Sequence, residues 1–193
     1  VRPADRTVET AAGDSRPYDA LLLATGARAS RPPVSGTDLK GVFVLRTLDD
    51  AIALAGHLRN HRRTVILGGG LLGLEIARAV RTRGAEVQVV EFFDRLLPRQ
   101  LDPAAAAILK AQFEKMGVSV VLGAVTREIF GDGSVRGLRL ESGAAFEADT
   151  VVVAAGIKPE TALAREAGLA VAKGIVVDDR MRTSDPAVFA AGD

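Results

Sequence analysis

The chain has 193 residues, of which 48% are hydrophobic and 25% are charged, with no cysteine and a formal net charge of +1. This composition is typical of a globular protein with a sizeable core; it argues against nucleic acid as the main partner and excludes disulfides and thiolate metal sites from these residues. Because we find neither a signal peptide nor an apolar run of the roughly 18 residues that a membrane span needs, we expect no membrane partner and a cytoplasmic protein.

Residues 1–36 predict short strands followed by a connector. A β-ribbon is predicted around residues 8–10 and 18–19, with a turn near Gly13, and the apolar run 20–24 predicts a fully buried strand. The run 31–36 contains adjacent prolines and a glycine, which fit neither a helix nor a central strand. We therefore expect a linker between two domains there.

From residue 42 to residue 122, short β-rich runs alternate with helical runs. Thr47 and the pair Asp102 and Pro103 are typical of the first positions of a helix. Since strands alternate with helices, we predict an α/β fold with a parallel sheet and helices on its faces. The predicted strands are residues 42–45, 64–67, 86–90 and 118–122, and the predicted helices are residues 48–60, 71–83 and 103–116.

The last third of the chain predicts a β-meander and then a return to short elements. The run Gly131-Asp132-Gly133 is a strong hairpin signal between two strand-like runs. The predicted meander strands are residues 125–130, 134–141 and 146–149. They are followed by a buried strand at 150–154, a break at 156–159, a helix at 161–167, a strand at 175–178 and a closing strand at 188–190.

Glycines at the first, third and sixth positions of the run 68–73 follow the predicted strand 64–67 and open the next helix. Gly68 permits a tight turn with a positive φ, Gly70 lets a pyrophosphate approach the backbone, and Gly73 allows the helix to pack closely on the strand. The first helical turn, which includes Leu71 and Leu72, presents unpaired amides to the anion. The pattern predicts a dinucleotide-binding turn, with a purely structural glycine turn as the alternative.

An acid at the end of the second strand completes this pattern. Glu91 lies eighteen residues after Gly73, close to the spacing of about 20 for a carboxylate that accepts from the adenosine ribose hydroxyls. A carboxylate there repels the 2′-phosphate of NADP(H). The next residues are Phe92 and Phe93 rather than an arginine that would receive that phosphate. We therefore predict that the chain binds NAD(H) rather than NADP(H).

Four segments, in this order, resemble the pyridine nucleotide-disulfide oxidoreductase superfamily of flavoproteins. Residues 18–27 resemble the motif where the family's chain passes from the FAD domain toward the NAD domain, and the glycine turn with Glu75 and Glu91 resembles its NAD fingerprint. Residues 151–159 resemble the strand that carries the chain back, and residues 183–193 resemble the second FAD motif. The ordered set covers the whole chain.

Within the superfamily, residues 71–75 and 95–102 are most similar to the NADH-dependent nitrite reductase large subunit and the assimilatory nitrate reductase flavoprotein. The resemblance implies an NAD(P)H-dependent FAD oxidoreductase, in which hydride passes from NADH to FAD and electrons pass on to an acceptor such as a nitrite or nitrate reductase centre. The alternatives are a ferredoxin or rubredoxin reductase, or an NADH oxidase, of the same superfamily.

The resemblance also implies roles for individual residues. Glu75 would lie near the nicotinamide end of the cofactor, and Gly156 would give the nicotinamide room against the flavin. Thr25 and Gly26 would pass close to FAD. Gly192 and Asp193 belong to the second FAD motif, in which the aspartate accepts from the ribityl hydroxyls of FAD. We name no catalytic residue, since hydride transfer between two cofactors needs no acid–base pair from the chain.

The same resemblance implies a Rossmann-like NAD(H)-binding domain with two partial segments of an FAD domain. We expect residues 1–35 to be a partial FAD-domain segment, residues 36–155 the NAD(H) domain, and residues 156–193 a truncated return segment of the FAD domain. The partners implied are the missing FAD-domain and C-terminal segments of a parent protein and an electron acceptor.

Two further hypotheses concern what the chain does by itself. As an isolated piece it would be an NAD(H)-binding module without activity. A classical dehydrogenase with its own substrate domain is disfavoured by the meander and by residues 188–193. His57 and His61 stand four apart in a helical run, but without a third ligand we expect a solvent-facing pair and no metal.

Overall fold

The computed structural model describes all 193 residues, and the chain divides into two compact units. The smaller unit comprises residues 1–28 and 157–193, and the larger unit comprises residues 29–156. The strands are β1 (Thr7–Glu9), β2 (Ser15–Pro17), β3 (Leu21–Leu23), β4 (Ala27–Ala29), β5 (Val42–Val44), β6 (Arg63–Leu67), β7 (Glu86–Val90), β8 (Val118–Val121), β9 (Thr126–Asp132), β10 (Ser134–Leu140), β11 (Ala145–Glu147), β12 (Thr150–Val153), β13 (Ile157–Pro159) and β14 (Val188–Ala190). The helices are α1 (Leu48–His57), α2 (Leu71–Arg81), α3 (Pro103–Lys115) and α4 (Ala162–Glu166).

A five-stranded parallel sheet forms the centre of the larger unit, with strand order β5-β12-β6-β7-β8. Its strands are short runs rich in β-branched residues, which suit a pleated surface that is covered on both sides. Because side chains alternate across each strand, Ile66 of β6 packs with the helices while Val65 and Leu67 pack on the opposite face. The α/β class and the parallel sheet predicted from the sequence are confirmed.

The two faces of this sheet are covered by different kinds of element. One buried cluster joins Leu54 of α1, Ala77 of α2 and Phe113 of α3 to the sheet. The other cluster joins the sheet to Ile129 and Leu138 of the β9-β10-β11 meander. The expected helices therefore cover one face of the sheet only, and the predicted antiparallel meander covers the other face.

The helices begin where the sequence places their capping residues. Thr47 and Asp50 form a capping box at α1, in which the Thr47 hydroxyl accepts from the Asp50 amide and the Asp50 carboxylate accepts from the Thr47 amide. The Asp102 carboxylate accepts from the amide of Ala105, and Pro103 occupies the first position of α3. By contrast, α2 begins at Gly70 without any side-chain cap.

The smaller unit is built from paired short strands and α4. β1 pairs with β2 in antiparallel fashion, β3 pairs with β14 in parallel fashion, and β4 pairs with β13. Its buried core is formed by residues of β3, α4, β14 and the segment after α4, namely Leu23, Ala164, Leu169, Val188 and Ala190.

At several places the local predictions are wrong or incomplete. The run 20–24 contains the strand β3, but only Leu23 is buried: Leu21 and Leu23 face the core of the smaller unit, and Leu22 points to the other side and is exposed. Residues 175–178 form no strand; Ile175 makes only an isolated bridge with Val171. β4 and β13 were not predicted, and α1 ends at His57, three residues before the predicted end.

No helix combines the length and the apolar character that a membrane span requires.

The histidine pair is half-buried rather than solvent-facing. The rings of His57 and His61 stack with centroids 3.7 Å apart, and His57 also packs against Phe43. His57 Nε2 lies 3.1 Å from the carbonyl oxygen of Asp149. The pair therefore packs the end of α1 onto the sheet. The structure contains no group of three or more His, Cys, Asp or Glu side chains that could hold a metal ion.

Candidate nucleotide-binding site

The glycine turn lies at the carboxyl end of β6, the central strand of the parallel sheet. Gly68 has a φ of +114°, and a Cβ added there would lie 2.5 Å from the carbonyl oxygen of Ala154. A Cβ on Gly73 would overlap the carbonyl oxygen of Gly68, so α2 can approach the strand only because residue 73 has no side chain. These two positions have the conformation and the close contact that the sequence pattern predicts.

Gly70 and the first turn of α2 face open space. Gly70 has extended backbone angles, φ −78° and ψ −178°, and nothing lies within 4 Å of an added Cβ. The first α2 amide with a backbone acceptor is that of Leu74, which donates to the carbonyl oxygen of Gly70 at 3.0 Å. The amides of Leu71 and Leu72 have no hydrogen-bond acceptor within the chain. The turn is therefore accessible and presents unengaged donors at the positive end of a helix.

Glu91 follows β7, the strand next to β6, and points at the glycine turn. Its side chain is 5% exposed, and one carboxylate oxygen, Oε2, accepts from the amide of Gly69. The other oxygen, Oε1, accepts from the amide of Phe93 at 2.8 Å. Because a carboxylate has about four acceptor positions, two remain for another donor. Glu91 thus has the location that a ribose-binding acid needs, and it also binds the backbone of the turn.

Gly69, the middle glycine of the turn, was not singled out in the sequence, and neither was its contact with the loop after β7. An added Cβ on Gly69 would lie 2.6 Å from Cδ2 of Leu96 and 3.1 Å from Oε2 of Glu91. The Gly69 carbonyl oxygen accepts from the amide of Leu97, at 3.1 Å. The only signal for this contact in the sequence is an apolar pair, Leu96 and Leu97, in the loop after β7.

Two aromatic side chains border the turn next to Glu91. Phe92 and Phe93 are 62% and 49% exposed, and their rings meet edge to face with centroids 5.3 Å apart. The first basic residue after them, Arg95, is paired with Asp94 at 3.0 Å and donates to the carbonyl oxygen of Pro98 at 3.3 Å. Beyond Glu91, the chain therefore presents the apolar surface of Phe92 and Phe93 and an arginine that is ion-paired with Asp94.

A family profile described as pyridine nucleotide-disulphide oxidoreductase matches residues 2–193. The chain belongs to this family. The resemblance stated from the four sequence segments is therefore confirmed, and so is the expected use of two cofactors, because the family consists of oxidoreductases that use NAD(P)H and FAD.

Individual relatives support the assignment over nearly the whole chain. The nitrite reductase [NAD(P)H] of Bacillus subtilis is 41% identical over 189 residues, which cover 98% of this chain and 24% of the relative. The rubredoxin-NAD(+) reductase of Pseudomonas putida is 43% identical over 182 residues, 94% of this chain and 47% of the relative. Among solved structures, a ferredoxin reductase from Rhodopseudomonas palustris superposes with a TM-score of 0.96 at 35% identity, covering all of this chain and 48% of that one. The chain thus spans between a quarter and a half of the length of these relatives.

Two further residues of the larger unit were assigned to the nucleotide by resemblance to the family. Glu75 lies on α2, one turn after Leu71, and its side chain is exposed. Gly156 follows β12, which pairs with β6, so it lies past the carboxyl edge of the sheet. Its φ is +88°, and nothing lies within 4 Å of an added Cβ. Both residues are accessible at the same edge of the sheet as the glycine turn.

The residues assigned to FAD all lie in the smaller unit. The Thr25 hydroxyl donates to the carbonyl oxygen of Glu160 at 2.8 Å, and the Glu160 amide donates to the carbonyl oxygen of Gly26 at 2.8 Å. Gly192 has a φ of +112° with no atom within 4 Å of an added Cβ, and Asp193 is exposed. Thr25 and Gly26 therefore hold β4 and β13 together, whereas Gly192 has open space beside its backbone.

Proposed function

We propose that this chain is the NADH-binding part of an FAD-dependent reductase. The observation that carries the proposal is the accessible turn at Gly70, which is followed by the unengaged amides of Leu71 and Leu72 and preceded by Gly69, whose amide is bound by the Glu91 carboxylate. Amides at the start of a helix suit a pyrophosphate, and a carboxylate one strand away suits a ribose diol.

In the proposed binding mode, each part of the site contacts a different part of NADH. The pyrophosphate lies over Gly70 and accepts from the amides of Leu71 and Leu72. The adenosine ribose donates to the two acceptor positions of Glu91 that the backbone leaves free. The nicotinamide end extends toward Glu75 and Gly156. The acid and the apolar surface of Phe92 favour NADH, since a 2′-phosphate would meet a negative charge and no free arginine.

FAD is the second cofactor that we propose for the parent protein. The residues of this chain that would contribute are Thr25, Gly26, Gly192 and Asp193, and the open backbone at Gly192 fits a close approach by a cofactor. When bound, FAD takes hydride from NADH and releases electrons to an acceptor. This chain's share of that reaction is to bind and orient the nucleotide.

We further propose that the electrons go to a nitrite or nitrate reductase centre, in a parent protein that works in the cytoplasm. Runs 71–75 and 95–102 support this choice, together with the similarity to the Bacillus subtilis nitrite reductase. A ferredoxin or rubredoxin reductase is the second candidate, because the Pseudomonas putida relative is equally similar. An NADH oxidase of the same family is the third candidate.

A calorimetric titration tests the proposal. We expect the 193-residue chain to bind NADH more tightly than NADPH, to bind FAD weakly or not at all, and to show no NADH oxidation alone. Tight FAD binding without NADH binding would overturn the proposal. In the full-length parent with FAD, the acceptor that supports steady NADH oxidation, whether nitrite, rubredoxin, ferredoxin or oxygen, distinguishes the three candidates.

A further inference from the structure

Gly69 is held from three sides by the segment 91–97, which we call the clamp. Its amide donates to the Glu91 carboxylate, its carbonyl oxygen accepts from the amide of Leu97, and its Cα faces Cδ2 of Leu96. Leu96 is fully buried, and Leu97 is buried with a φ of +48°, a conformation that leucine rarely adopts. The peptide groups on both sides of Gly69 therefore have little freedom to rotate.

The clamp is itself fixed to the sheet. The Glu91 amide donates to the carbonyl oxygen of Val121 at 2.8 Å, and the Glu91 carbonyl oxygen accepts from the amide of Ala124 at 2.9 Å. The carboxylate closes a second local bond with the Phe93 amide. A buried carboxylate that accepts from two amides is a strong, directional connection, since charge-assisted hydrogen bonds are shorter and stronger than neutral ones.

We propose that Glu91 is a positioning residue for the pyrophosphate, in addition to any contact that it makes with the ribose. By fixing the Gly69 peptide, it orients the adjoining backbone of Gly70, Leu71 and Leu72, and the amides of Leu71 and Leu72 have no acceptor within the chain. This inference rests on the proposed NADH site, and it predicts that Glu91 contributes to affinity even for a nucleotide that has no ribose hydroxyls to bind.

Two nucleotides separate the positioning role from the ribose contact. NADH offers both hydroxyls of the adenosine ribose, and its 2′,3′-dideoxyadenosine analogue offers neither. Glu91→Gln keeps the size of the side chain, but an amide has one acceptor oxygen and one NH₂ donor, so it serves only one of the two backbone amides. Glu86→Gln is the matched control, because Glu86 is exposed and begins the same strand, β7, at its opposite end.

We expect Glu91→Gln to weaken binding of the dideoxy analogue about tenfold, and binding of NADH at least as much, with Glu86→Gln unchanged. An analogue affinity within about twofold of the unmodified chain, while NADH binding falls, would overturn the positioning role and leave only the ribose contact. If the unmodified chain binds neither nucleotide, the proposed function itself fails, so the two failures are distinguishable. Thermal unfolding measured beside each titration ensures that affinity is compared among folded proteins.

If Glu91→Gln does not fold, Leu96→Val decides the question. This change shortens the side chain by one carbon, so that no atom remains at the Cδ2 position that faces Gly69, while Leu138→Val shortens an equally buried leucine in the meander by the same amount. We expect both variants to lose similar stability. Only Leu96→Val should weaken binding of the dideoxy analogue, by about threefold or more. Equal analogue affinity in the two variants would overturn the role of the clamp.

Discussion

The carboxylate of Glu91 accepts a hydrogen bond from the amide of Gly69, twenty-two residues earlier in the chain. The bond connects the end of β7 to the turn after β6, two strands that are paired in parallel along their length. The acid that would select the cofactor is thus also part of the backbone geometry that would bind it.

Removal of this acid should relax the choice between nucleotides. We predict that Glu91→Ala weakens NADH binding and shifts the NADPH-to-NADH affinity ratio toward NADPH by about tenfold or more. The reason is that two unit charges about 4 Å apart repel by roughly 4 kcal/mol at an effective dielectric constant of 20. Fluorescence titrations with both nucleotides measure the ratio, with Glu86→Ala as the control. An unchanged ratio would remove Glu91 from cofactor selection.

The second and third glycines of the dinucleotide-binding pattern, Gly70 and Gly73, predict opposite outcomes for the same substitution. Gly70→Ala should keep the thermal stability of the chain, because open space surrounds the new methyl group, yet lower NADH affinity at least tenfold by filling the pyrophosphate position. Gly73→Ala should destabilise the fold, by about 2 kcal/mol or more, because its methyl group overlaps the Gly68 carbonyl oxygen. Calorimetric melting and NADH titration separate the two effects, and normal NADH binding by Gly70→Ala would contradict the binding mode.

A basic side chain beside Glu91 should create affinity for the 2′-phosphate. We predict that Phe92→Arg increases NADPH affinity about tenfold, and that the gain falls with added salt, since Phe92 is exposed directly after the acid. Ile108→Arg adds the same charge to an exposed position of α3 and serves as the control. A gain of equal size in both variants would indicate a non-specific charge effect.

The sequence was sufficient for those parts of the fold that depend on local rules. Thr47, Asp102 and the glycine turn mark the starts of the three long helices, and each helix begins there. The hairpin at Gly133 is also present, with Ser134 paired to Asp132 across a single turn residue. Capping, turn chemistry and apolar periodicity act over a few residues, so they are visible without a structure.

The features that were missed depend on contacts distant in sequence. β4 and β13 form only by pairing with each other, from segments about 130 residues apart. Only one face of β3 packs in a core, so Leu23 is buried and Leu22 is exposed. At the site, Gly69 was assigned no role from the sequence, in which it lies between Gly68 and Gly70. Its need for glycine comes from Leu96 and Glu91, which no local pattern connects to it.

The capping box of α1 predicts a specific dependence of stability on pH. The amide of Thr47 and then that of Arg46 donate to the Asp50 carboxylate and lower its pKa below the ordinary value. Because the folded-state pKa is depressed, this stabilisation is complete above the unfolded pKa of about 3.9 and is lost as pH falls through the folded pKa.

We therefore expect Asp50→Ala to cost about 1 kcal/mol at pH 7 and progressively less below pH about 4, as measured by thermal unfolding across that range. Asp49→Ala is the control, because Asp49 lies in the same first turn but makes no capping bond. A destabilisation by Asp50→Ala that stays constant down to the lowest pH would contradict the assigned role of the carboxylate.

The most direct test of the central claim is an NMR titration of the ¹⁵N-labelled chain with NADH. We predict that the largest shifts occur at the amides of Gly70, Leu71 and Leu72, and that they saturate together with those of Gly69 and Glu91. Saturating NADH that leaves these amides unmoved, or that shifts only residues remote from the glycine turn, would contradict the proposal that this turn binds the pyrophosphate.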